Sequence, residues 1–285
     1  MKSKDQQYRQ RVEISVKKGA EELFPEEIYD PCLSGGLWIE GTRNRSVIKA
    51  YPKDVGAFQD LLRRSGIMIY KIRIVKEKDR DYIGLTKRYF RPIKIEDVVV
   101  AAPWNRRRGN KKAIIIEPGM AFGTGRHEST RIMIKLMKGV DINGKEVIDL
   151  GCGSAILSLY AALKGAKRVV AVDNDEDAIA SAKKNASLND IANIRFARAG
   201  LEDVKSRYDV VLANLDIRTF SGHAQHIVKR LKRGGCLIIS GILGRDARRA
   251  ISLFPSLTLE REERKNSWRG FVLKRQAKAE VKVEQ

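Results

Sequence analysis

Residues 146–165 read EVIDLGCGSAILSLYAALKG, in which a short apolar run leads through a glycine-containing turn into a longer apolar segment. A run of this kind is typical of a strand that is covered on both faces in a parallel sheet. The segment after the turn predicts a helix over 154–164, because Gly165 is a common helix terminator. The stretch therefore predicts one unit of strand, turn and helix.

The same alternation of apolar strands and helices continues downstream. We expect further strands at 167–173, 193–197, 208–213 and 236–240, with helices at 176–188 and 223–232. Strands and helices that alternate at this spacing build units of strand, helix and parallel strand. The second part of the chain is therefore predicted to be α/β, with a doubly wound parallel sheet.

The first part of the chain has shorter, mixed elements. Residues 12–16 and 67–75 alternate apolar and polar side chains, which predicts strands, and residues 37–51 predict a hairpin. Asp54 is a suitable N-cap for a helix that ends at Arg64. We interpret the order as strand, helix, hairpin, helix and strand. This order predicts a small α+β domain of the ferredoxin-like type.

A change in composition separates the two parts. Residues 103–112 read PWNRRRGNKK, which is polar, basic and rich in turn-forming residues, with apolar periodic segments on both sides. This composition is typical of a linker. We therefore predict a small domain at 1–102, a linker at 103–112 and the α/β domain at 113–285.

The chain of 285 residues carries 56 Lys and Arg against 35 Asp and Glu, a formal net charge of +21. Such an excess favours a polyanionic or acidic neighbour, with ribosomal RNA as the obvious candidate partner of the basic surface. It does not bear on the fold. A solvated linker and the surface lysines of a basic or heat-adapted proteome would explain most of the same charges.

Composition also limits the class of protein. A hydrophobic fraction of 43% allows a real core and excludes wholesale disorder. No window approaches the roughly 18 apolar residues of a membrane span, so we expect no membrane partner. The three cysteines are scattered and form neither a disulfide framework nor a CxxC metal pair. We expect a soluble, reduced, cytoplasmic protein without a metal.

The glycine turn is the expected ligand site, because ligands of doubly wound sheets bind beyond the carboxyl ends of the strands. Gly151 and Gly153 allow the backbone to approach a ligand closely. Their GxG spacing lacks the last glycine of GxGxxG, which disfavours an NAD-dependent oxidoreductase. Asp173 ends the next strand, where its carboxylate could accept both hydroxyls of a ribose. Alternatively, Asp173 caps the helix that begins at Glu176.

The glycine turn and the stretches around it resemble one class of enzymes. VIDLGCGSA at 147–155 and VVAVDND at 169–175 resemble the S-adenosylmethionine-dependent methyltransferases that have a seven-stranded, Rossmann-like sheet. The segment EPGMAFGTGRHEST at 117–130, called the pre-motif below, closely resembles the PrmA family, whose members methylate large-subunit ribosomal protein eleven. Three further stretches are similar to the same family: RPIKI at 91–95, ANL at 213–215 and SGIL at 240–243.

The resemblance implies a fold, a cofactor and an activity. The fold is an α/β, Rossmann-like, doubly wound methyltransferase domain preceded by a small α+β domain that recognises the substrate. The cofactor is S-adenosyl-L-methionine. The activity is methyl transfer to lysine ε-amines of ribosomal protein eleven, with the α-amine as a further acceptor. The cofactor-binding residues carried over are Thr130, Gly151, Gly153, Asp173 and Asn214.

Several of these positions have two interpretations. Asn214 follows an apolar strand, where its amide oxygen could accept a hydrogen bond from an attacking amine and make it the catalytic residue. It could instead turn the chain at the strand end. Thr130 could bond the carboxylate of the cofactor or be an ordinary residue of a helix N-terminus.

Two further residues lie near the expected site. Asp149 is the candidate partner of the ammonium group of the cofactor. His127 is the candidate base, and we favour a structural role for it.

Ala155 stands where many relatives carry a third glycine, and because it is small it agrees with cofactor binding.

Other functions are compatible with the same residues. The first alternative is an N-methyltransferase of another protein or of ribosomal RNA. The second is a non-catalytic ribosome-binding module with a methyltransferase fold. Retention of Gly151, Gly153, Asp173 and Asn214 disfavours the second alternative.

Overall fold

The computed structural model describes residues 8–20, 24, 28, 37–41, 44–52, 54–78, 90–106, 113–118 and 123–276. Contacts between residues divide the chain into two compact units, Met1–Phe90 and Arg91–Gln285. Among the described residues, no helix is long and apolar enough to cross a membrane. Within the same ranges, no group of His, Cys, Asp and Glu side chains could hold a metal ion.

The first unit is built on a four-stranded antiparallel sheet. Its elements are β1 (Tyr8–Lys17), β2 (Leu37–Gly41), β3 (Arg45–Ala50), α1 (Val55–Arg64) and β4 (Ile69–Lys78). The strands lie in the order β2-β3-β1-β4. Asp54 caps α1 by accepting a hydrogen bond from the N–H of Ala57 at 3.0 Å. The predicted hairpin and capped helix are both confirmed.

The core of this unit follows from the alternation along β1. Val12, Ile14 and Val16 are buried, and they belong to one apolar cluster with two residues of α1, Phe58 and Leu62. The helix expected between the first strand and the hairpin falls in the connection from β1 to β2, most of which lies outside the described residues. The ferredoxin-like type therefore stays a prediction.

The second unit contains a seven-stranded sheet and a three-stranded one. The strands are β5 (Ile93–Ile95), β6 (Val98–Ala101), β7 (Ala113–Ile115), β8 (Glu146–Leu150), β9 (Arg168–Asp173), β10 (Ile194–Arg198), β11 (Tyr208–Asn214), β12 (Leu231–Leu243), β13 (Thr258–Lys265) and β14 (Trp268–Lys274). The helices are α2 (Glu128–Lys138), α3 (Ile156–Leu163), α4 (Glu176–Leu188), α5 (Ile217–Lys229) and α6 (Ala247–Ser252). Short 3-10 turns lie at Pro103–Asn105 and Gly244–Asp246.

The large sheet has the strand order β10-β9-β8-β11-β12-β14-β13. Five adjacent strands, β10, β9, β8, β11 and β12, run parallel to one another. Strand β14 is antiparallel to both β12 and β13. The chain moves outward from β8 to β9 and β10 and then returns to β11, so the strand order reverses between β8 and β11. Ligands bind at such a reversal, beyond the carboxyl ends of the strands. The predicted Rossmann-like, doubly wound fold is confirmed.

Both faces of the large sheet are buried. Within β8, Val147 packs into a core that includes residues of α2 and α3, whereas Ile148 and Leu150 pack into a second core that includes residues of α5. Burial on both sides explains why this strand reads as an almost continuous apolar run. The two cores fix the central strands whose ends carry the candidate site.

The boundary between the units lies earlier in the chain than the sequence indicated. Strand β5 pairs with β6, and β6 pairs in parallel with β7, so that Val100 lies opposite Ile114. Strands β6 and β7 flank the predicted linker at 103–112, and their pairing holds 91–102 in the second unit. The first unit is therefore Met1–Phe90 rather than 1–102. Residues 107–112 lie outside the described residues.

Helix α5 also begins earlier than predicted, at Ile217 rather than at residue 223. Asp216 caps it by accepting hydrogen bonds from the N–H groups of Arg218 and Thr219, at 2.7 and 2.9 Å. The helix ends at Lys229 and β12 begins shortly afterwards. The predicted span began too late because Asp216 was not recognised as a cap, although Phe220 in the first turns is apolar and fully buried.

Candidate active site

The candidate site lies at the carboxyl ends of β8 and β11, the two strands between which the order reverses. Ala213 of β11 pairs with Leu150 of β8. Asn214, the last residue of β11, therefore lies beside Gly151, the first residue of the glycine turn. The sheet thus brings together residues that are more than sixty positions apart in the sequence.

The backbone of the glycine turn adopts conformations that most side chains disfavour. Gly151 and Gly153 have φ angles of 69° and 52°. A Cβ on Gly151 would lie 2.6 Å from Cδ2 of Leu215, the residue after Asn214. Ala155, at the N-cap of α3, also has a positive φ of 64°. The backbone of the turn therefore favours glycine at 151 and 153, whereas Ala155 is held in the left-handed region by its surroundings.

Asp173 holds the glycine turn in place from the end of β9. Its Oδ2 accepts a hydrogen bond from the N–H of Gly153 at 2.9 Å, and its Oδ1 accepts one from the N–H of Asp175 at 3.1 Å. The cap of α4 is Asp175, whose carboxylate accepts from the N–H of Asp177 at 2.9 Å. The interpretation of Asp173 as the helix cap is therefore wrong. Each of its oxygens keeps a further lone pair that a ligand could use.

The described residues include three buried side-chain oxygens without a hydrogen-bond partner. They are Oγ1 of Thr130, Oδ1 of Asp149 and Oδ1 of Asn214. Thr130 is 0% exposed and Asp149 is 1% exposed. Such atoms are rare, because leaving a buried polar group unpaired costs about 1–3 kcal/mol. One hydroxyl donor and two oxygen acceptors are therefore available to hydrogen-bond a polar ligand.

Thr130 is the last residue of the pre-motif. It lies in the first turn of α2, which packs against β11, β12 and β14. Before this helix, the carbonyl oxygen of Gly123 accepts a hydrogen bond from the hydroxyl of Ser154 at 2.7 Å. Gly123 has a φ of 108°, and a Cβ there would meet the same hydroxyl. The end of the pre-motif therefore contacts the glycine turn directly, while residues 119–122 lie outside the described residues.

Asp149 is ionisable and buried, so its charge is sensitive to what binds beside it. Burial raises its pKa to about 6, and the negative charge of Asp173 adds to this effect. The N–H and the hydroxyl of Ser158 donate to its Oδ2, at 3.1 and 2.6 Å, and oppose the rise in pKa. A cation at the unpartnered Oδ1 would favour the ionised form. The position is therefore suited to an ammonium group.

His127 is the N-cap of α2. Its Nδ1 accepts a hydrogen bond from the N–H of Ser129 at 3.2 Å, and its ring packs edge-on against Trp268 with the centroids 4.6 Å apart. Burial lowers its pKa, so the ring is neutral near pH 7. Because a backbone N–H can only donate, Nδ1 is the acceptor nitrogen and the hydrogen lies on Nε2. This arrangement supports a structural role for His127.

Comparison with known proteins identifies the family. The sequence profile of the ribosomal protein L11 methyltransferase (PrmA) family matches residues 26–276. The chain belongs to this family. It is 33% identical over 265 residues to ribosomal protein L11 methyltransferase of Aquifex aeolicus (strain VF5), across 92% of this chain and 99% of the relative. It is 34% identical over 204 residues to the protein of the same name in Campylobacter concisus (strain 13826), across 72% of this chain and 73% of the relative.

A solved structure agrees with membership of the L11 methyltransferase family. The chain superimposes on the crystal structure of ribosomal protein L11 methylase from Lactobacillus delbrueckii subsp. bulgaricus with a TM-score of 0.61 and 25% identity. The match covers 66% of this chain and 100% of that chain. The resemblance inferred from the glycine turn and the pre-motif is therefore confirmed, and the chain is a methyltransferase.

Three buried polar residues that shape the site in this family member were not predicted from the sequence. Ser154, Ser158 and Asn185 are 2%, 0% and 0% exposed. Each is hydrogen-bonded to the glycine turn, to the pre-motif or to Asp149. A polar residue within an apolar helix is the signal that would have found Ser158, since such residues usually have a specific partner, whereas Asn185 lies among other polar residues of α4.

Proposed function

We propose that this chain is an S-adenosyl-L-methionine-dependent protein N-methyltransferase. Its proposed substrate is the ribosomal protein that the names of its relatives specify, L11 of the large subunit. The proposed acceptors are lysine ε-amines, with the α-amine as a further acceptor, and the proposed location is the cytoplasm. The observation that carries the proposal is the set of unpartnered oxygens of Thr130, Asp149 and Asn214 in a fold of this family.

The polar atoms of the site match the groups of S-adenosyl-L-methionine by type. Asp149 would hold the ammonium group with its buried Oδ1, and Thr130 would donate its hydroxyl to the carboxylate. Asp173, which already anchors Gly153, would accept the ribose hydroxyls. At each of these positions an acceptor on the chain meets a donor on the cofactor, or the reverse.

S-adenosyl-L-methionine supplies a methyl group that is already activated by a sulfonium centre. The residues of the chain therefore need only to bind the two molecules, align them and exclude competing water. Asn214 would accept a hydrogen bond from the acceptor amine at Oδ1, which fixes the direction of the nitrogen lone pair. Asn214 is thus the proposed catalytic residue.

The acceptor amine must be neutral before it attacks. A lysine ε-amine has an ordinary pKa of about 10.4, so it carries a proton at neutral pH. His127 is not suited to remove this proton, because its Nδ1 accepts the N–H of Ser129 and its hydrogen lies on Nε2. We assign the loss of the proton to solvent, before the amine is aligned by Asn214.

The transfer of labelled methyl groups tests this proposal. The native chain is incubated with methyl-labelled S-adenosyl-L-methionine and either isolated ribosomal protein L11 or free ribosomal RNA. We expect label on the protein, recovered as methyl-lysine after hydrolysis. Label on RNA alone would contradict the proposed substrate and favour an RNA N-methyltransferase. The absence of label on both, together with no heat of cofactor binding, would favour a non-catalytic ribosome-binding module.

A pair of asparagine variants separates catalysis from stability in the same assay. Asn214→Ala should lower kcat by about 100-fold, because the amine loses its alignment. Asn193→Ala is the control, since the Nδ2 of Asn193 donates to the carbonyl oxygen of Ala166 at 2.8 Å, at the amino ends of β9 and β10. This variant should change stability without lowering kcat. Equal rates for the Asn214 variant and the native chain would contradict the catalytic role.

A further inference from the structure

Asn185 and Ser154 are two buried polar residues beside the glycine turn that the proposed chemistry does not use. Asn185 lies on α4 and Ser154 lies in the turn. The Nδ2 of Asn185 donates to the carbonyl oxygen of Ser154 at 3.0 Å. The Oδ1 of Asn185 accepts a hydrogen bond from the N–H of Glu117 at 2.9 Å. The amide of Asn185 thus connects the glycine turn to the start of the pre-motif.

The hydroxyl of Ser154 holds a second point of the pre-motif, Gly123. It donates to the carbonyl oxygen of Gly123 at 2.7 Å. Glu117 is therefore attached to the glycine turn through Asn185, and Gly123 is attached to it through Ser154. We call Asn185 and Ser154 the Asn185–Ser154 pair. The pair joins α4, the glycine turn and the pre-motif, which are far apart in the sequence.

The peptide that Asn185 contacts has no regular ladder to orient it. Ser154 precedes Ala155, whose φ of 64° places it in the left-handed region. The N–H of Ala155 donates to the carbonyl oxygen of Cys152 at 2.8 Å, which closes a tight turn. A non-glycine residue in this region is held there by its surroundings. The hydrogen bond from Asn185 is one such restraint.

Asn189, one helical turn after Asn185, provides a natural comparison. Its Oδ1 accepts a hydrogen bond from the N–H of Ile115, and its Nδ2 donates to the carbonyl oxygen of the same residue, both at 2.7 Å. Asn189 therefore binds the edge of β7 as a neighbouring strand would. Among the described residues, its side-chain hydrogen bonds go to Ile115 and to the backbone of Asn185. It supports the same region without contacting the glycine turn.

We propose that the Asn185–Ser154 pair positions the cofactor site by fixing the glycine turn and the pre-motif relative to each other. This inference rests on the proposed function, because it takes the glycine turn as the place where S-adenosyl-L-methionine binds. The pair acts through the backbone, since its polar side-chain atoms are already bonded within the protein. Loss of the pair weakens cofactor binding while the reacting groups themselves stay in place.

Calorimetric titration with S-adenosyl-L-homocysteine tests the inference on the full chain. Asn185→Ala should raise the dissociation constant about tenfold or more, because a buried restraint of the turn is lost. Asn189→Ala should lower the melting temperature about as much as Asn185→Ala does. It should leave the dissociation constant within about twofold of the native value. With methyl acceptor present, the KM for the cofactor should rise in Asn185→Ala while kcat at saturating cofactor changes little.

Ser154→Ala is the second variant, and it removes a single oxygen. It breaks the bond to Gly123 and leaves the carbonyl that Asn185 contacts, so we expect this variant to fold even if Asn185→Ala does not. It should raise the dissociation constant by about threefold to tenfold. A melting temperature and a circular dichroism spectrum for each variant show which of them are folded.

The outcomes separate this inference from the proposed function. Native protein that binds no S-adenosyl-L-homocysteine would overturn both. Native protein that binds it, with folded Ser154→Ala or Asn185→Ala binding equally well, would overturn the inference alone. An equal loss of affinity in Asn189→Ala would also overturn it, because the effect would then follow general stability. A loss confined to the pair supports it.

Discussion

The backbone N–H of Gly153 donates to Oδ2 of Asp173 at 2.9 Å, which ties the glycine turn after β8 to the end of the neighbouring strand β9. The contact joins two parts of the site that the sheet alone would only place near each other. A ligand that uses the remaining lone pairs of Asp173 is therefore held against the glycine turn. This relationship makes Asp173 a residue of both structure and binding.

Replacement of Asp173 should affect affinity strongly. Asp173→Ala removes the proposed acceptor of the ribose hydroxyls and releases the N–H of Gly153, so binding of S-adenosyl-L-homocysteine should weaken by about 10- to 100-fold. Titration calorimetry measures the change. Asp175→Ala is the control, because it removes only the cap of α4 and should cost about 1 kcal/mol of stability without loss of affinity. Unaltered affinity in Asp173→Ala would refute the ribose role.

Cofactor affinity should depend on pH through Asp149. Its pKa of about 6 in the free protein means that the carboxylate is ionised above this pH and neutral below it. Only the ionised form attracts an ammonium group strongly, so the dissociation constant should rise as the pH falls below about 6, by up to about tenfold per unit. Titrations from about pH 5 to pH 8 measure this rise. Asp149→Asn should bind weakly without such a step, and a flat native profile would speak against the assignment.

Gly241, in the SGIL stretch, should resist any side chain. It has a φ of +85°, and a Cβ there would lie 2.9 Å from the carbonyl carbon of Leu215 and closer to its oxygen. Gly241→Ala should displace Leu215 and its neighbour Asn214, and lower the free energy of unfolding by about 2 kcal/mol or more. Denaturant unfolding measures the loss. Gly222→Ala in α5, where a Cβ meets no atom within 4 Å, should instead stabilise by about 0.5–1 kcal/mol. Similar values for the two variants would contradict this account.

His127 should be replaceable by another capping residue. His127→Asn keeps an acceptor for the N–H of Ser129, so kcat and its pH profile should stay close to those of the native chain. His127→Ala should cost about 1 kcal/mol of stability through loss of the cap. Steady-state kinetics and thermal unfolding measure the two effects. A fall in kcat of about 10²–10⁴-fold in a stable His127→Asn variant would show that the residue is a general base after all.

The fold of the second unit was predictable because its signals are local. Apolar runs with glycine turns place the strands. The helix predicted at 176–188 has the same bounds in the structure, Glu176–Leu188. Because parallel strands share one edge for their carboxyl ends, Asp173 and Asn214 could also be placed at the site from the sequence. Whether they bind the cofactor stays a prediction.

Other features depend on contacts that a linear pattern does not contain. The pairing of β6 with β7 crosses a stretch whose composition is that of a linker, so the boundary between the units was placed too late. The hydrogen bond between Asn185 and Ser154 joins residues 31 positions apart. No spacing rule connects an asparagine in a helix to a carbonyl in a turn, because the contact arises only when α4 packs beside the turn.

A crystal structure with bound S-adenosyl-L-homocysteine is the sharpest test of the proposed cofactor site, because it shows which atoms of the chain hold the cofactor. We predict the ligand at the carboxyl ends of β8 and β11, with its amino-acid part within about 3.2 Å of Oγ1 of Thr130 and Oδ1 of Asp149. Its ribose hydroxyls should contact Asp173, with Asn214 facing the sulfur end. A ligand bound elsewhere, or one that leaves the oxygens of Thr130 and Asp149 without partners, would contradict the account.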